Sequence, residues 1–297
     1  MTRCGIVKLL IGLCLGAGVM CSLQLAWAED VSGEVPSEVP VESIKVSTPV
    51  YHPDFSSFTP QLGTYNYTVG WEGIPAADCS VSVERDSDGN FEIGATASTY
   101  TGVSIFYKLR YVAKGVLTAA DLLPTKTSML LQENSKIRNT EIAFHPDGSI
   151  DAVRTTKGQN PKTLRFNPEN FTLDPFAAAF IARSVDWKVG ETRQFDTFNG
   201  KNRYLVSLTA IGQEKLEYND VEYDVWVIEP RVTSLSASTV AKKLRSAKIY
   251  MTTDSKHDIL KVESSVFIGS VAAELDSFVP STRAIQVAEH AQGNRKS

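Results

Sequence analysis

Cysteine is scarce in this sequence. Only four of the 297 residues are cysteines, and three of them, Cys4, Cys14 and Cys21, lie within the first 28 residues. Outside that segment Cys79 has no second cysteine with which to form an intramolecular disulfide. No basic motif surrounds Cys79, and it lies in a stretch where apolar and polar residues alternate. We therefore expect a buried strand residue rather than a reactive thiol.

Motifs for catalysis and metal binding are also missing. The four histidines, His52, His145, His257 and His290, are not spaced like metal ligands. The sequence contains no HExxH, CxxC or GxSxG motif and no phosphate-binding glycine loop. The acidic turn at 86–90 lacks the distal glutamate of a calcium-binding loop. These absences predict a protein that is not an enzyme and that needs no metal or cofactor.

Long apolar runs are absent except at the start of the chain. Residues 9–25 are almost wholly apolar; they follow Arg3 and Lys8 and precede Ala26-Trp27-Ala28. This pattern predicts a secretory signal peptide over residues 1–28, cleaved after Ala28. Neither cysteine within the run follows the small residue that a lipobox requires, so lipidation is not expected. Since no later segment has the ~20 apolar residues needed to span a bilayer, we expect a periplasmic protein, either free or peripheral to a membrane.

An excess of positive charge is absent as well. The chain has 30 lysines and arginines against 34 aspartates and glutamates, a formal net charge of −4. This mild acidity argues against binding to nucleic acid or to an anionic membrane through bulk charge. We expect a monomer whose partner is a lipid or amphipathic ligand, or another envelope protein, and no nucleic acid.

The sequence after the signal divides into three parts. Residues 29–54 form a leader rich in proline, serine and glutamate, and this composition predicts a flexible tether. Residues 55–280 are predicted to form a single β-rich domain, and residues 281–297 a flexible tail. Within the domain, apolar and polar residues alternate with period two, and turn signals such as Asn199-Gly200 separate the alternating stretches. The pattern predicts antiparallel sheet.

One segment of the domain is predicted to be helical. In 171–184, Asp174 is a suitable N-cap and Pro175 a suitable first helical residue. The three alanines at 177–179 would allow the helix to pack closely against a sheet. A weaker helix is predicted over 119–123, and 236–245 fits either a helix or a loop.

Aromatic residues cluster in several predicted strands. Tyr65, Tyr67 and Trp71 share one face of a strand, Phe106, Tyr107 and Tyr111 lie close together, and Trp226, Phe267 and Phe278 follow later. On a curved sheet these side chains could line an apolar groove for an acyl chain or another elongated ligand. They also fit an ordinary core beneath the helix, which is the simpler interpretation.

Four stretches of the chain have an order and spacing that resemble a known family. They are GTYNYTVGWEGIPAA, LDPFAAAFIARS, GKNRYLVSLTAIGQE and IYMTTDSKHDILKVESSVFIGSVAAEL. Together they span roughly residues 55–278 and resemble the bacterial family known as domain of unknown function 3108. The sequence departs from that pattern at Cys79, where the family has a small residue, and in the proline-rich leader.

The resemblance implies an exported envelope protein of Gram-negative-type bacteria with no known enzymology. It implies a mainly β fold, in which a long curled antiparallel sheet (an open barrel or β-spiral) wraps around one or two helices, similar to periplasmic lipoprotein carriers. The residues shared with the family, which the resemblance implies to be caps, turns and core supports, are Asp174, Pro175, Arg183, Gly200, Tyr204, Thr253, Asp254 and Gly269.

Three functions fit the sequence. The first is a non-enzymatic binding protein in cell-envelope maintenance that holds an apolar or lipid-like ligand between the concave sheet and the helix, with Arg183 or Lys201 meeting a head group. The side chains expected to contact the ligand are Phe176, Phe180, Arg183, Tyr204 and Trp226. The alternative is an envelope scaffold or interaction protein with a filled core. A polysaccharide or peptidoglycan hydrolase would need paired carboxylates within ~10 Å, for which the candidates are Asp174, Asp254 and Glu263.

Overall fold

The computed structural model describes residues 49–235, 246–265 and 269–282, which form one large sheet and two helices. The strands are β1 (Gly63–Trp71), β2 (Ile74–Arg85), β3 (Phe91–Thr99), β4 (Leu109–Leu117), β5 (Pro124–Glu133), β6 (Lys136–Phe144), β7 (Ile150–Thr156), β8 (Lys162–Phe166), β9 (Thr172–Leu173), β10 (Thr192–Phe198), β11 (Arg203–Tyr218), β12 (Val221–Ser234), β13 (Ser246–Thr252), β14 (Ile259–Ser265) and β15 (Ser270–Pro280). The helices are α1 (Thr101–Ser104), between β3 and β4, and α2 (Pro175–Ser184), between β9 and β10.

The strands follow one another around the sheet in the order of the sequence. Neighbours from β1 to β8 and from β10 to β15 pair in antiparallel fashion, whereas the short β9 runs parallel to β10. β1 also pairs with β15, where Tyr65 lies opposite Phe278, so the first and last strands meet in the middle of the sheet. β8 and β9 do not pair, and the sheet is therefore not closed into a barrel. The predicted fold class, a long and open sheet with one or two helices, is confirmed.

One face of the sheet forms the core, because alternate residues of each strand point to the same side. In β1 this pattern buries Tyr65, Tyr67 and Val69. Cys79 is buried in β2, as predicted. The simpler interpretation of the aromatic residues, a core, is therefore confirmed for both β1 tyrosines. Phe106 departs from it, because 83% of this residue is exposed, and Phe267 lies outside the described residues.

α2 confirms the predicted helix and lies inside the curl of the sheet. It begins at Pro175, after Asp174, whose side chain accepts a hydrogen bond of 2.7 Å from the main-chain nitrogen of Ala177. All ten residues of the helix are buried. Gly115 of β4 permits this packing, since a Cβ at that position would lie 2.7 Å from the ring of Phe176. A helix that is buried on every side is covered by the rest of the protein, and here the segment before β1 takes part, since the main-chain nitrogen of Asp54 donates to the Ser184 oxygen at 3.1 Å.

The local structure differs from the sequence prediction at two places. Residues 119–123 form a turn rather than a helix, because Thr118 and Leu123 close the β4–β5 connection with main-chain and side-chain hydrogen bonds of 2.9 and 3.0 Å. The one-turn helix α1 was not predicted, and among the described residues no side chain caps its first turn. The segment 236–245 lies outside the described residues.

Candidate functional site

A buried arginine, Arg183, lies in the last turn of α2. The Nε of Arg183 donates to the main-chain oxygen of His257 at 2.8 Å, and its Nη2 donates to the main-chain oxygen of Lys256 at 3.0 Å. The same Nη2 lies 3.2 Å from Oδ1 of Asp258. A positive side chain suits this position because the last carbonyls of a helix carry partial negative charge. Arg183 therefore ties the end of α2 to the β13–β14 turn.

Asp258 gathers further donors around this arginine. Its Oδ1 accepts from the hydroxyl of Tyr65 at 2.7 Å, and its Oδ2 accepts from Nε2 of Gln61 at 2.7 Å. Burial raises the pKa of Tyr65 well above its usual range, so the hydroxyl stays protonated and donates. The geometry supports a structural ion pair, and the predicted contact of Arg183 with a ligand stays a prediction.

The other predicted ligand contacts also pack within the protein. Phe176 and Phe180 are buried in the core, with the Arg183 guanidinium 5.3 Å from the Phe180 ring centroid. Tyr204 is buried and its hydroxyl accepts from Nδ2 of Asn202 at 3.0 Å. Trp226 is partly buried against the core. Phe176 and Phe180 thus belong to the core on the helix itself, and contact of all four side chains with a ligand stays a prediction.

Asp174 caps α2 from within the core. Besides the Ala177 nitrogen, its carboxylate accepts from the hydroxyl of Thr127 on β5. Burial raises the pKa of Asp174 to about 6. At neutral pH the carboxylate is therefore charged in an apolar setting, where the helix N-terminus and one hydroxyl stabilise it.

The carboxylates considered for hydrolysis serve separate structural contacts. Asp254 accepts from Oγ1 of Thr252 at 2.7 Å, and Glu263 accepts from the hydroxyl of Tyr250 at 2.7 Å. Glu263 is the fifth residue of β14, and Asp254 precedes that strand. At a rise of ~3.3 Å per residue, the Cα of Glu263 lies ~13 Å along the strand from Ile259, the first residue after the turn that contains Asp254. Asp174 lies in the core, whereas Glu263 is partly exposed and alternates with buried Val262.

Histidines and other ligand-type side chains are dispersed. His257 stacks on Phe58 with ring centroids 5.7 Å apart, and Nε2 of His145 lies 2.9 Å from Oδ2 of Asp151. Within the three described ranges, no three histidine, cysteine, aspartate or glutamate side chains come together in a way that could hold a metal ion. In the same ranges no helix has the length and apolar character to cross a membrane.

The gap between β8 and β9, which we call the open seam, is the most distinctive region of the sheet. Phe166 at the end of β8 packs edge-on against Phe198 of β10, with ring centroids 5.1 Å apart. Gly200, in the β10–β11 turn, has φ +83° and lies so close to Thr140 of β6 that a Cβ would collide with it. Side-chain contacts thus bridge the seam where strand pairing does not.

A buried acid fixes the β10 side of the seam. Asp196 is fully buried and accepts a hydrogen bond of 3.0 Å from Nδ2 of Asn170, which lies in the connection from β8 to β9. Arg203 of β11 forms an ion pair with the same carboxylate. Because a buried carboxylate needs such partners, these contacts hold β9 and β10 in a defined position next to the seam.

The inner face of β6, β7 and β8 changes from apolar to cationic along the strands. Strand register gives three cross-strand rows: Phe144, Ile150 and Phe166; then Ile142, Ala152 and Leu164; then Thr140, Arg154 and Lys162. Successive rows are ~6.7 Å apart, since alternate residues share a face. No position in these rows holds a carboxylate. We call them the apolar rows and the cationic row.

Exposure of these rows increases toward the seam. Ile142 and Ala152 are buried, whereas Leu164 in the same row is 44% exposed, and Lys162 is exposed. The next inner residue of β6, Arg138, is only 5% exposed and pairs with Glu133. Its Nε has no hydrogen-bond partner among the described residues. An apolar surface that ends in positive charge suits an anionic amphiphile.

The sequence interpretation missed Leu164, Arg154 and Lys162. The alternation over 149–155 does predict a strand containing Arg154, but the sequence does not reveal that β8 lies at an open edge. The signal that could have found them is the repeated basic residue at one end of alternating apolar stretches.

Comparison with known proteins identifies the family. Residues 66–276, well over half of the chain, match the family model described as "Protein of unknown function (DUF3108)". The chain belongs to this family. The resemblance seen in the four sequence stretches is therefore confirmed. A search of curated proteins found no match to this DUF3108 chain.

Two solved structures are similar to the DUF3108 chain. One is a crystal structure of a beta-barrel-like protein of domain of unknown function DUF1849 from Brucella abortus, with TM-score 0.51, 8% identity, and coverage of 75% of this chain and 100% of that one. The other is described as "a putative lipoprotein from Parabacteroides distasonis", with TM-score 0.31, 10% identity, and coverage of 77% and 99%. The first likeness shows a shared fold alone, and the second supports no statement about this chain.

Proposed function

We propose that this chain is a non-enzymatic periplasmic protein of cell-envelope maintenance that binds a lipid-like ligand at the open seam. The observation that carries the proposal is the passage from apolar rows to a cationic row beside an unpaired strand edge. The acyl chain lies against Leu164, and an acidic head group lies near Arg154 and Lys162. The periplasmic location rests on the signal-like sequence at 1–28.

The seam is preferred to the space beside α2 for a physical reason. Phe176 and Phe180 are already buried, so a ligand there would have to displace core contacts. At the seam, Leu164 is exposed before binding, and covering it gains free energy. Transfer of an acyl chain from water contributes ~0.8 kcal/mol per methylene. Because association costs at least ~4 kcal/mol in lost ligand freedom, a long acyl chain with well over five buried methylenes is needed.

Binding of a pyrene-labelled long-chain fatty acid tests the proposal. Leu164→Asp places a negative charge on the apolar row, and we expect the dissociation constant to rise about tenfold or more. Val153→Asp is the matched control, because Val153 is similarly exposed, at 39%, on the outer face of β7. Equal affinity of both variants, or the absence of binding by the unaltered protein, would contradict the proposal.

The head group is tested separately through the cationic row. Lys162→Glu is expected to weaken binding of the fatty acid by roughly tenfold, because it replaces attraction with repulsion at the row that Lys162 shares with Arg154. A long-chain alcohol of the same length has no charge, and its affinity should change little. Equal loss of affinity for the fatty acid and the alcohol would contradict recognition of the head-group charge by the cationic row. It would leave the proposal that the acyl chain binds at the open seam intact.

The scaffold remains the second candidate, because within the described sheet β8 pairs only with β7. The other edge of β8 has main-chain groups available for an added strand. A photo-crosslinking residue at Thr163 of β8, used in living cells, tests this function. Capture of one defined envelope protein, without any bound amphiphile, would favour the scaffold over lipid binding.

A further inference from the structure

From β2 to β8, the connections at the two ends of the sheet differ in charge. The β3–β4, β5–β6 and β7–β8 connections, at 100–108, 134–135 and 157–161, lie at one end, which we call the basic end. They contain Lys108 and Lys157 and no acid, and they are followed by Lys136 and Lys162. The acid that directly precedes one of them, Glu133, forms an ion pair with Arg138. The β2–β3, β4–β5 and β6–β7 connections, at 86–90, 118–123 and 145–149, lie at the opposite end. These contain no lysine or arginine. They contain four aspartates, Asp86, Asp88, Asp121 and Asp147.

The basic end also has an exposed apolar tip. Ile105 and Phe106, in the β3–β4 connection, are 79% and 83% exposed. Ile74, in the neighbouring β1–β2 hairpin, is 62% exposed at the same end of the sheet. The acid in the turn of this hairpin, Glu72, accepts hydrogen bonds from the main-chain nitrogen and the hydroxyl of Ser270. Large apolar side chains with this exposure at one end of a protein are typical of an interaction surface.

Contacts with the rest of the protein hold this tip in place. The hydroxyl of Tyr107, the residue after the tip, donates to Oε1 of Glu133 at 2.8 Å. The main-chain nitrogen of Lys108 donates to Oδ1 of Asn134 at 2.9 Å, and the main-chain nitrogen of Asn134 donates back to the Lys108 oxygen at 2.8 Å. The β5–β6 turn therefore supports the residues that follow the tip, while Ile105 and Phe106 themselves remain exposed.

We propose that the basic end docks on an anionic lipid surface, with Ile105 and Phe106 entering the membrane interface. Apolar side chains surrounded by lysines are the combination that binds such surfaces, since the apolar groups enter the acyl boundary and the lysines attract anionic head groups. The acidic turns at the opposite end orient the molecule, because they are repelled from the same surface. The chain as a whole is acidic, so the attraction to anionic lipid comes from the lysines of the basic end alone.

This surface is independent of ligand binding at the seam, but the two are adjacent. Lys162 begins β8 at the basic end, and the apolar rows extend from it toward the other end of the sheet. A protein docked through Ile105 and Phe106 would therefore direct the head-group end of the seam toward the membrane.

Co-sedimentation with vesicles tests the docking surface. The processed protein recovered from cells is mixed with vesicles of phosphatidylglycerol and phosphatidylethanolamine, and with vesicles of phosphatidylcholine alone. We expect preferential binding to the anionic vesicles. The double variant Ile105→Ser/Phe106→Ser should lower the partition coefficient by about tenfold or more, because two large side chains no longer leave water. Val221→Ser/Val279→Ser is the matched control, since both valines are exposed near the opposite end.

The lysines are tested in the same assay. Lys108→Glu/Lys157→Glu should lower binding to anionic vesicles at low salt, and the difference should nearly vanish at about 1 M salt, where the Debye length is about 3 Å. The docking proposal is overturned if the protein binds neither kind of vesicle, or if the two double-serine variants bind equally. It is also overturned if Ile105→Ser/Phe106→Ser instead dissociates a dimer, since the tip would then contact a second copy.

Discussion

At the residue scale, buried polar groups fix the position of α2. Asp174 caps its first turn inside the core, and Arg183 holds its last turn against Asp258. Each group is charged in a place where charge is costly, so each needs its protein partners. These two residues lie within the stretch LDPFAAAFIARS that resembles the family, and their contacts explain that part of the pattern physically.

The carboxyl of Asp174 makes stability depend on pH. Its pKa is about 6 in the folded protein and 3.8 for the ordinary group, so the folded state binds more protons between these values. The free energy of unfolding should therefore decrease as pH rises from about 4 to about 6, with a contribution of roughly 3 kcal/mol from this group. Asp174→Asn retains a good N-cap and should remove that decrease.

Urea unfolding of both proteins between about pH 4 and pH 7 measures the effect of Asp174. The variant should be the more stable protein at neutral pH, and its advantage should shrink as the pH is lowered. A constant difference between the two proteins at every pH would contradict the assignment.

Removal of the Arg183 guanidinium should cost far more than removal of a surface arginine. Arg183→Met leaves the partly buried Asp258 without its ionic partner, and we expect a loss of about 3 kcal/mol in the free energy of unfolding. Arg231→Met is the control, because the Arg231 side chain is 78% exposed in its pair with Glu229 and should matter by less than about 0.5 kcal/mol. Chemical denaturation measures both, and similar small losses would show that the cluster does not hold α2.

At the scale of elements, the parts that the sequence predicted are those decided by neighbouring residues. The N-cap and proline at Asp174 and Pro175 predict α2, and Asn199-Gly200 predicts the β10–β11 turn. The helix predicted over 119–123 was wrong, because hairpin closure by Thr118 overrides local preference. The open seam could not be predicted, since it depends on two strands, β8 and β9, that fail to pair despite being consecutive in the chain.

Contact between α2 and β4 depends on the absence of a side chain at Gly115. Gly115→Val would push against the Phe176 ring, and we expect a loss of about 1–3 kcal/mol from overpacking. The smaller side chain of Phe176→Leu in the same protein should recover part of that loss. Gly212→Val in β11 is the control, because no atom of the part of the chain that the structure describes lies within 4 Å of its added Cβ. Equal losses at both glycines in thermal or urea unfolding would contradict this account of the packing.

At the scale of the whole molecule, the positions of the charged and apolar residues decide binding more than their numbers do. Net acidity argued against an anionic membrane, yet the acids and bases of the β2–β8 connections separate to opposite ends of the sheet. The sequence analysis predicted that aromatic residues of α2 contact a ligand. In the structure these residues belong to the core, because a curled sheet buries its inner face. The seam escapes that burial because the sheet stops there. Exposed inner-face positions such as Leu164 are consequently found only by knowing the topology.

Native mass spectrometry of the processed protein, recovered gently from a periplasmic extract, tests the central claim most directly. We predict a mass that exceeds the mass of the chain by that of one amphiphile, and organic extraction should release this amphiphile as an anionic lipid. The Leu164→Asp variant should lack the bound lipid, whereas the Val153→Asp variant should retain it. A bare mass for the unaltered protein, with no extractable apolar compound, would contradict lipid binding at the open seam.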